Sequence, residues 1–382
     1  MQLLKGDKLL TKVQCDVLRG LAIMGIFLHN FCHWLRGGFH ENEYWYYHEN
    51  SDAAWNYWTA GGLDVFAPIQ FFSFLGHYGV PLFLFLSGFG LVMKYERSGA
   101  SRVGVFTFVG YQWLKLFRLM LLGFVLSALT YIACGNAPHP WNETLAQLGM
   151  VSNFLFVKPG SAIVPGPYWF FGLMLEVYVI YRLLVYSTSR HKQWRWLMPV
   201  IIAVVAWFVM MLCKGHSLRL EYLRYNAAVA MLPFALGVLA GRYGLPALPR
   251  WLLGVVAVVS LPLLLAVNLN YHAWLWAPVL VIAGAVAFVK CFEGMSAWCT
   301  SWFMRPLSWL GGLSSMVFVV HSIPRMPIFK YKLWSQTCLN VSDYGWIALY
   351  IVLTLVLAWL YKQYLRLIPN PRLRGNSVSF RA

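Results

Sequence analysis

The sequence predicts an all-α polytopic membrane protein, with about ten transmembrane helices around a central cavity and both termini in the cytoplasm. Composition is the first reason. Of the 382 residues, 60% are hydrophobic and only 11% are charged, whereas a soluble domain carries roughly 25% charged residues. The second reason is that the apolar residues form long runs, and the third is that Lys and Arg are distributed unevenly between these runs.

Ten apolar stretches are candidate spans, because a transmembrane helix needs about 20 apolar residues. They are residues 17–35, 79–95, 118–134, 167–186, 196–213, 225–241, 251–267, 273–290, 307–322 and 344–362. Residues 63–76 are apolar but too short to span, which predicts a re-entrant or interfacial helix. We find no internal repeat and no separate soluble domain. One transmembrane domain is therefore expected over 1–368, followed by a basic cytoplasmic tail over 369–382.

The cations indicate the orientation. With ten spans, the segments on the N-terminal side hold 22 of the 30 Lys and Arg residues and the opposite side holds 8. An excess of Lys and Arg marks the cytoplasmic face, so both termini are predicted to be cytoplasmic. The net charge of +17 suits nucleic acid as well. Because the cations are spread between apolar runs, we interpret them as topology signals, with membrane lipids and not nucleic acid as the partner.

The first span carries an arginine near its start, Arg19, and two histidines further in, His29 and His33. Ionisable groups inside a bilayer are costly and usually face a protein interior or a wet cavity. Ten residues of helix place His29 about 15 Å beyond Arg19, near mid-membrane. A neutral imidazole at that depth is a workable general base. Alternatively, His29 is a packed, hydrogen-bonded histidine without a catalytic role. His33 lies one turn further out.

Two more ionisable residues fall within the spans. Glu176 is the only acid in the interior of a predicted span, at a depth similar to that of His29. It is expected to orient a histidine, to line the cavity or to make a structural hydrogen bond, because an unpaired buried carboxylate needs a partner or a proton. His321 lies near the predicted outer end of the ninth span. It is expected either to contact a substrate on the outer face or to be an ordinary interfacial histidine.

Cations also gather at the predicted cytoplasmic mouth. Lys115 and Arg118 are three residues apart, so they share a helix face, and Arg19 opens the first span on the same side. Such a group can bind a phosphate-bearing cytosolic ligand. Alternatively, these side chains snorkel to lipid phosphates. The chain contains no HExxH, Walker A, GxGxxG or Cys–His metal motif, so neither ATP-driven transport nor a metal cofactor is predicted.

Several stretches together resemble the acyltransferase 3 family of bacterial integral-membrane acyltransferases. They are LRGLAIMGIFLHN, GVPLFLFLSGF, KLFR, PYWFFGLMLEVY and LSWLGGLSSMVFVVH. The resemblance implies a ten-helix core in the bacterial inner membrane. It also implies transfer of an acyl group, often acetyl from acetyl-CoA, to a hydroxyl of a glycan, lipid or antibiotic near the outer face. The family's arginine and histidine of the first span correspond to Arg19 and His29.

The sequence departs from the family pattern at two places. The family usually has ten residues between that arginine and histidine, whereas here there are nine, and Asn30 occupies the usual register. Ten helical steps fall about 80° short of the same face, so His29 is rotated, or a bulge restores it, or His33 serves instead. The second departure is that the family's paired arginines appear here as Lys115 and Arg118.

These observations predict an acyl-CoA-dependent O-acyltransferase that acts on a glycan, glycolipid or other envelope acceptor. The expected site residues are His29 and Glu176 for catalysis, Arg19, Lys115 and Arg118 for acyl-CoA, and His33 and His321 for the acceptor. Acyl-CoA is the only co-substrate expected, and no metal. Direct transfer and an acyl-enzyme intermediate both remain open. The alternative function is a proton-coupled transporter that uses the buried His and Glu residues, although many carriers show an internal repeat.

Overall fold

The computed structural model describes seven stretches of the chain: residues 3–4, 9–61, 63–97, 103–154, 163–293, 300–332 and 338–372. Most of the predicted basic tail, residues 373–382, lies outside them. About 75% of the protein is helical and there is almost no sheet. The predicted all-helical membrane class is therefore confirmed. One short strand near the N-terminus, β1 (Leu3–Leu4), pairs antiparallel with β2 (Leu245–Pro246).

Seventeen α-helices are found in the described residues. They are α1 Lys12–Cys32, α2 His48–Thr59, α3 Ala67–Leu75, α4 Gly79–Leu91, α5 Val105–Ala133, α6 Trp141–Leu148, α7 Trp169–Ile180, α8 Trp194–Leu212, α9 Ser217–Leu223, α10 Ala227–Tyr243, α11 Arg250–Val267, α12 Tyr271–Trp274, α13 Ala277–Cys291, α14 Arg305–Gly311, α15 Ser314–Val320, α16 Ser322–Lys332 and α17 Asp343–Leu367.

Seven helical segments among the described residues are long and apolar enough to cross a membrane. They are Lys12–Cys32, Ala67–Glu96, Val105–Ala133, Gly166–Val185, Trp194–Leu212, Arg250–Val267 and Asp343–Leu367. A pair bent by 59°, Ser301–Gly311 with Ser314–Tyr331, can form an eighth, and Ala227–Tyr243 and Ala277–Cys291 are shorter apolar helices. Each of the ten predicted spans falls on one of these helices. The number of spans that cross the bilayer stays a prediction.

The short apolar stretch over residues 63–76, expected to be a re-entrant or interfacial helix, does form a helix but continues into the next one, and its depth in the membrane stays a prediction. In the structure α3, the 3-10 turn Gly76–Tyr78 and α4 follow one another within a single 30-residue segment, Ala67–Glu96. Close packing against α1 explains the continuous path. A Cβ atom on Gly76 would lie 2.5 Å from the carbonyl oxygen of Gly25, so only glycine lets the two backbones approach this closely.

Helix α1 lies at the centre of the bundle. It begins with a capping box, in which Thr11 Oγ1 accepts from the Gln14 backbone N–H and Gln14 Oε1 accepts from that of Thr11. In the most apolar 18-residue stretch of α1, 67% of the residues are buried. The corresponding share is 83% in Ala67–Glu96 and only 6% in α11. Helix α11 therefore exposes apolar side chains on the periphery, as expected for a surface that lipid covers.

We refer to the two ends of the bundle as the near face, where α1 begins, and the far face, where it ends. Near the near face, the buried Arg242 guanidinium pairs with Glu96 at 2.8 Å and donates to the carbonyl oxygen of Val185. These contacts join α10 to the second and fourth candidate spans. The connections after α1, before α7 and after α9 meet at the far face, where the functional residues gather.

Candidate active site

His29 lies one turn before the end of α1 and is buried. Its Nδ1 atom is 3.1 Å from the carbonyl oxygen of Phe72, in α3. Because a carbonyl can only accept, Nδ1 carries the hydrogen and Nε2 is the bare, basic nitrogen. No described residue bonds to this Nε2, although it is buried. The imidazole is thus held in one tautomer with its basic atom available.

Helix α1 is regular from Lys12 to Cys32, so the bulge considered from the sequence does not occur. His29 and His33 are one turn apart and their rings stack, with centroids 4.5 Å apart and an interplanar angle of 18°. The Nδ1 atom of His33 donates to the carbonyl oxygen of His29 at 2.7 Å. The two histidines therefore share a face of α1 and have the same tautomer.

His77 is a third histidine of this group, and it was not among the residues predicted from the sequence. Its ring centroid is 5.3 Å from that of His29, and it lies in the turn Gly76–Tyr78. The only sequence signal is a histidine between two glycines in an apolar run. His77 lies beside His29 through the close approach of Gly76 to Gly25 in α1, a tertiary contact that the sequence pattern does not predict.

Arg325, in α16, is the second residue of this group that was not predicted from the sequence. Its Nη1 donates to the backbone carbonyl oxygen of Asn30 at 2.9 Å and to Asn30 Oδ1 at 3.2 Å. The guanidinium lies within electrostatic reach of His29, His33 and His321. Asn30, in the position where the family usually has its histidine, thus orients an arginine.

The ninth span was predicted to end at residue 322, so Arg325 was expected to lie outside the spans. The bent helix pair instead continues to Tyr331, past Pro324 and Pro327. Pro324 is the third residue of α16, where a backbone N–H has no partner within the helix. It therefore begins a helix here instead of ending one, and Arg325 becomes part of a candidate span.

His321 lies at the bend between α15 and α16 and is completely buried. It is therefore enclosed by the protein, and its depth in the membrane stays a prediction. Its Nδ1 donates to the carbonyl oxygen of Phe318 at 2.8 Å, and its buried Nε2 has no partner among the described residues. The structure places it near Arg325. Its role in acceptor binding stays a prediction.

Glu176, in α7, contacts the start of α10. Its Oε2 accepts from the backbone N–H of Ala227 at 2.8 Å, the first residue of that helix. A carboxylate is stabilised there by the exposed N–H groups and the helix dipole. This is the structural hydrogen bond that the sequence left as one alternative. Among the described residues Glu176 makes no hydrogen bond or ion pair with a histidine, and its catalytic role stays a prediction.

A cavity of about 330 Å³ lies at the far face. Its polar lining consists of Asn30, His33, Asn42, Glu43, Arg224 and Arg325, and its aromatic lining of Trp34, Phe83, Trp169, Phe170, Tyr225 and Phe318. His33 borders this cavity, whereas His29 lies behind it, next to His33 and His77. We call it the far-face cavity. Its position is the one expected for a site that receives a second substrate from that face.

The predicted phosphate-binding cations lie toward the near face but are not equivalent. Arg19 pairs with Asp16 at 2.7 Å, and its side chain is 40% exposed. Lys115 lies within electrostatic reach of Arg19 and of a further cation, Lys94. Arg118 instead donates to the backbone carbonyl oxygens of Leu365 and Ile368, the latter at 2.7 Å. It therefore caps α17, and its contribution to a donor site stays a prediction.

These features define an integral membrane protein whose buried imidazoles lie between a cation group toward one face and a cavity at the other. The sequence model of the acyltransferase 3 family, described as an acyltransferase domain, matches residues 13–362. The chain therefore belongs to the acyltransferase 3 family, and it is a multi-pass membrane acyltransferase. No curated protein and no solved structure matches it. Within the described residues, no group of three His, Cys, Asp or Glu side chains is arranged to hold a metal ion.

Proposed function

We propose that this protein transfers an acyl group, in particular acetyl, from cytosolic acyl-CoA to a hydroxyl of a glycan, glycolipid or other envelope acceptor in the bacterial inner membrane. The state of His29 is the observation that carries this proposal. Its Nδ1–H is committed to the carbonyl oxygen of Phe72, and its buried Nε2 is unpartnered among the described residues. A general base needs such a fixed, bare nitrogen.

The donor approaches from the near face in this proposal. Arg19 and Lys115 supply positive charge there, and charge-assisted hydrogen bonds to phosphate are among the stronger polar contacts. From Arg19 to His29 the helix rises about 15 Å, a distance that the extended pantetheine arm of CoA can follow. The thioester would thus reach the imidazole while the nucleotide stays at the near face.

The acceptor enters through the far-face cavity. His29 Nε2 takes the proton of the acceptor hydroxyl, and the hydroxyl oxygen attacks the thioester carbon. The carbon–sulfur bond then breaks, CoA leaves as a thiolate, and the imidazolium returns the proton to the sulfur. Hydrogen-bond donors near the reacting carbonyl oxygen stabilise its developing negative charge. The reaction yields an ester and free CoA, with no net change in protons.

Radiolabelled acetyl-CoA tests the proposal. The purified full chain is reconstituted with a bacterial envelope extract, and release of free CoA is measured together with label in the glycan and lipid fractions. We expect both signals in the parent and neither in His29→Ala. If acetyl-CoA stays unchanged, no product is labelled, and the protein in liposomes moves protons across the bilayer, the result would instead favour the transporter.

A further inference from the structure

Arg325 brings positive charge to the far-face cavity and, among the described residues, has no acidic partner at ion-pairing distance. Its Nη1 is held by Asn30, and Asn30 Nδ2 is in turn held by the carbonyl oxygen of Ile26 at 2.9 Å. Neither Nε nor Nη2 of Arg325 has a protein acceptor in the described chain, and the residue lines the cavity. The side chain is thus fixed through one nitrogen, and its other donors are open to a ligand.

Arg224 is the second arginine of this cavity. Its guanidinium lies over two aromatic rings, 4.4 Å from the centroid of Tyr225 and 5.1 Å from that of Trp45. It also donates to the hydroxyl of Tyr225. No ion pair of Arg224 or Arg325 occurs in the described structure. Cation–π contacts therefore orient Arg224 and leave its charge without a carboxylate counter-ion.

The balance of charge in the cavity is positive. Among the described residues that line it, Glu43 is the only acid, against Arg224 and Arg325. Glu43 and Arg325 lie within electrostatic reach of each other. Removing cations from water without full pairing is costly. An anionic group on the ligand recovers part of this cost, especially through the planar, bidentate geometry that guanidinium forms with carboxylate or phosphate.

The remaining lining suits a carbohydrate ring. Trp34 and Trp169 present apolar surfaces on which the C–H face of a sugar can pack, and Asn42 and His33 supply polar atoms for its hydroxyls. The volume, about 330 Å³, lies at the low end of the roughly 300–1,000 Å³ typical of ligand pockets. It therefore accommodates one ring-sized group and not a long segment of polymer.

We infer that the far-face cavity binds an acidic sugar, one that carries a carboxylate or a phosphate, with Arg325 and Arg224 as its anion-recognising residues. The inference rests on the proposed function in taking this sugar to be the acceptor. The anion is not the CoA phosphate, because the cations expected to bind the donor lie toward the near face, at the opposite end of α1. An acidic group held by these arginines would bring a ring hydroxyl beside His33 and toward His29.

Equilibrium binding to the full chain in detergent, without any acyl donor, tests the inference apart from the reaction. Three probes share one ring: methyl β-D-glucoside, methyl β-D-glucuronide and the 6-phosphate of methyl β-D-glucoside. A charge-assisted hydrogen bond contributes about 1.5–3 kcal/mol, and 1.4 kcal/mol is about tenfold in affinity. We expect at least one anionic probe to bind about tenfold or more tightly than the neutral one. The better anionic probe identifies carboxylate or phosphate as the natural group.

Paired variants locate the effect. Arg325→Gln and Arg224→Gln should each remove most of the preference for the anionic probe. Glu43→Gln should strengthen the preference for the anionic probe, because this variant removes a negative charge that repels the anion. Such a gain in affinity cannot come from misfolding. Arg97→Gln, which changes an exposed arginine at the near face, should leave all three affinities unchanged.

Equal affinities for the neutral and anionic probes, or no binding of any probe, would overturn the inference. So would a preference that survives in Arg325→Gln while Glu43→Gln gains nothing. If the anionic probe binds as expected but no acyl transfer to any acidic sugar is found, the anion site stands and the proposed function fails. If acyl transfer occurs only to neutral acceptors and the probe affinities are equal, the proposed function stands and the anion site fails.

Discussion

The rings of His29 and His33 stack with their centroids 4.5 Å apart, and His33 donates to the carbonyl oxygen of His29. Yet only His33 borders the far-face cavity. One turn of helix thus separates a buried imidazole from one that a ligand can contact. This arrangement divides the expected roles: the deeper ring takes the proton of the acceptor hydroxyl, and the outer ring contacts the rest of the acceptor.

We expect His29→Ala to lose acyl transfer by roughly 10²–10⁴-fold, the usual contribution of a general base, and to retain donor binding. His33→Ala should instead raise the acceptor KM, with a smaller loss in kcat. Steady-state kinetics of purified variants, together with equilibrium binding of acyl-CoA, separate the two effects.

His48→Ala provides the control, because this exposed histidine at the far face pairs with Asp52 outside the cavity and should behave like the parent. The assignment is wrong if His29→Ala turns over normally while His33→Ala is inactive. In that case the shifted spacing between Arg19 and the histidine has moved the base outward by one turn.

We expect Arg19→Ala and Lys115→Ala to raise the KM for acyl-CoA by about tenfold or more while kcat changes less. Each removes a charge-assisted phosphate contact, which contributes on the order of 1.5–3 kcal/mol. Arg366→Ala, which removes an exposed cation at the same end of the bundle, is the matched control. If both variants bind CoA like the parent, the donor site does not include these residues.

Arg118→Ala should mainly lower thermal stability, because Arg118 donates to the carbonyl oxygens of Leu365 and Ile368 at the end of α17. The loss of hydrogen bonds from a charged donor costs on the order of 1.5–3 kcal/mol. The measurement is the midpoint of thermal unfolding in detergent. A raised donor KM with an unchanged midpoint would instead place Arg118 in the donor site, as the sequence predicts.

We expect the titration of Glu41, which lies between α1 and α2, to make the stability of the protein depend on pH. Glu41 is 2% exposed and accepts one hydrogen bond from Asn50, and burial raises its pKa from 4.5 to about 8. The folded protein therefore retains a proton that the unfolded chain loses, so the unfolding free energy should fall as pH rises from 4.5 to about 8. Glu41→Gln should flatten this slope and be more stable than the parent at alkaline pH. If the unfolding free energy of Glu41→Gln falls with pH as steeply as that of the parent, the prediction is wrong.

Reporter fusions should place both termini in the cytoplasm, because the ten predicted spans put 22 of the 30 Lys and Arg residues on the side of the N-terminus. Fusions after Arg97 and at Ala382 should report cytoplasm. Fusions within 40–60 and 140–150 should report the opposite side. A signal from the opposite side at Ala382 would be inconsistent with ten spans.

The membrane class, the positions of the apolar helices and the family all follow from the sequence alone, whereas the depth of His29 in the membrane stays a prediction. These properties depend on local composition and on the fixed rise of a helix. Tertiary structure decided the rest of the site. Arg325 bonds to Asn30 across a sequence separation of 295 residues, and His77 lies beside His29 only because Gly76 and Gly25 let two backbones approach closely. Such contacts arise from how the helices pack, and packing depends on surfaces that are distant in the chain.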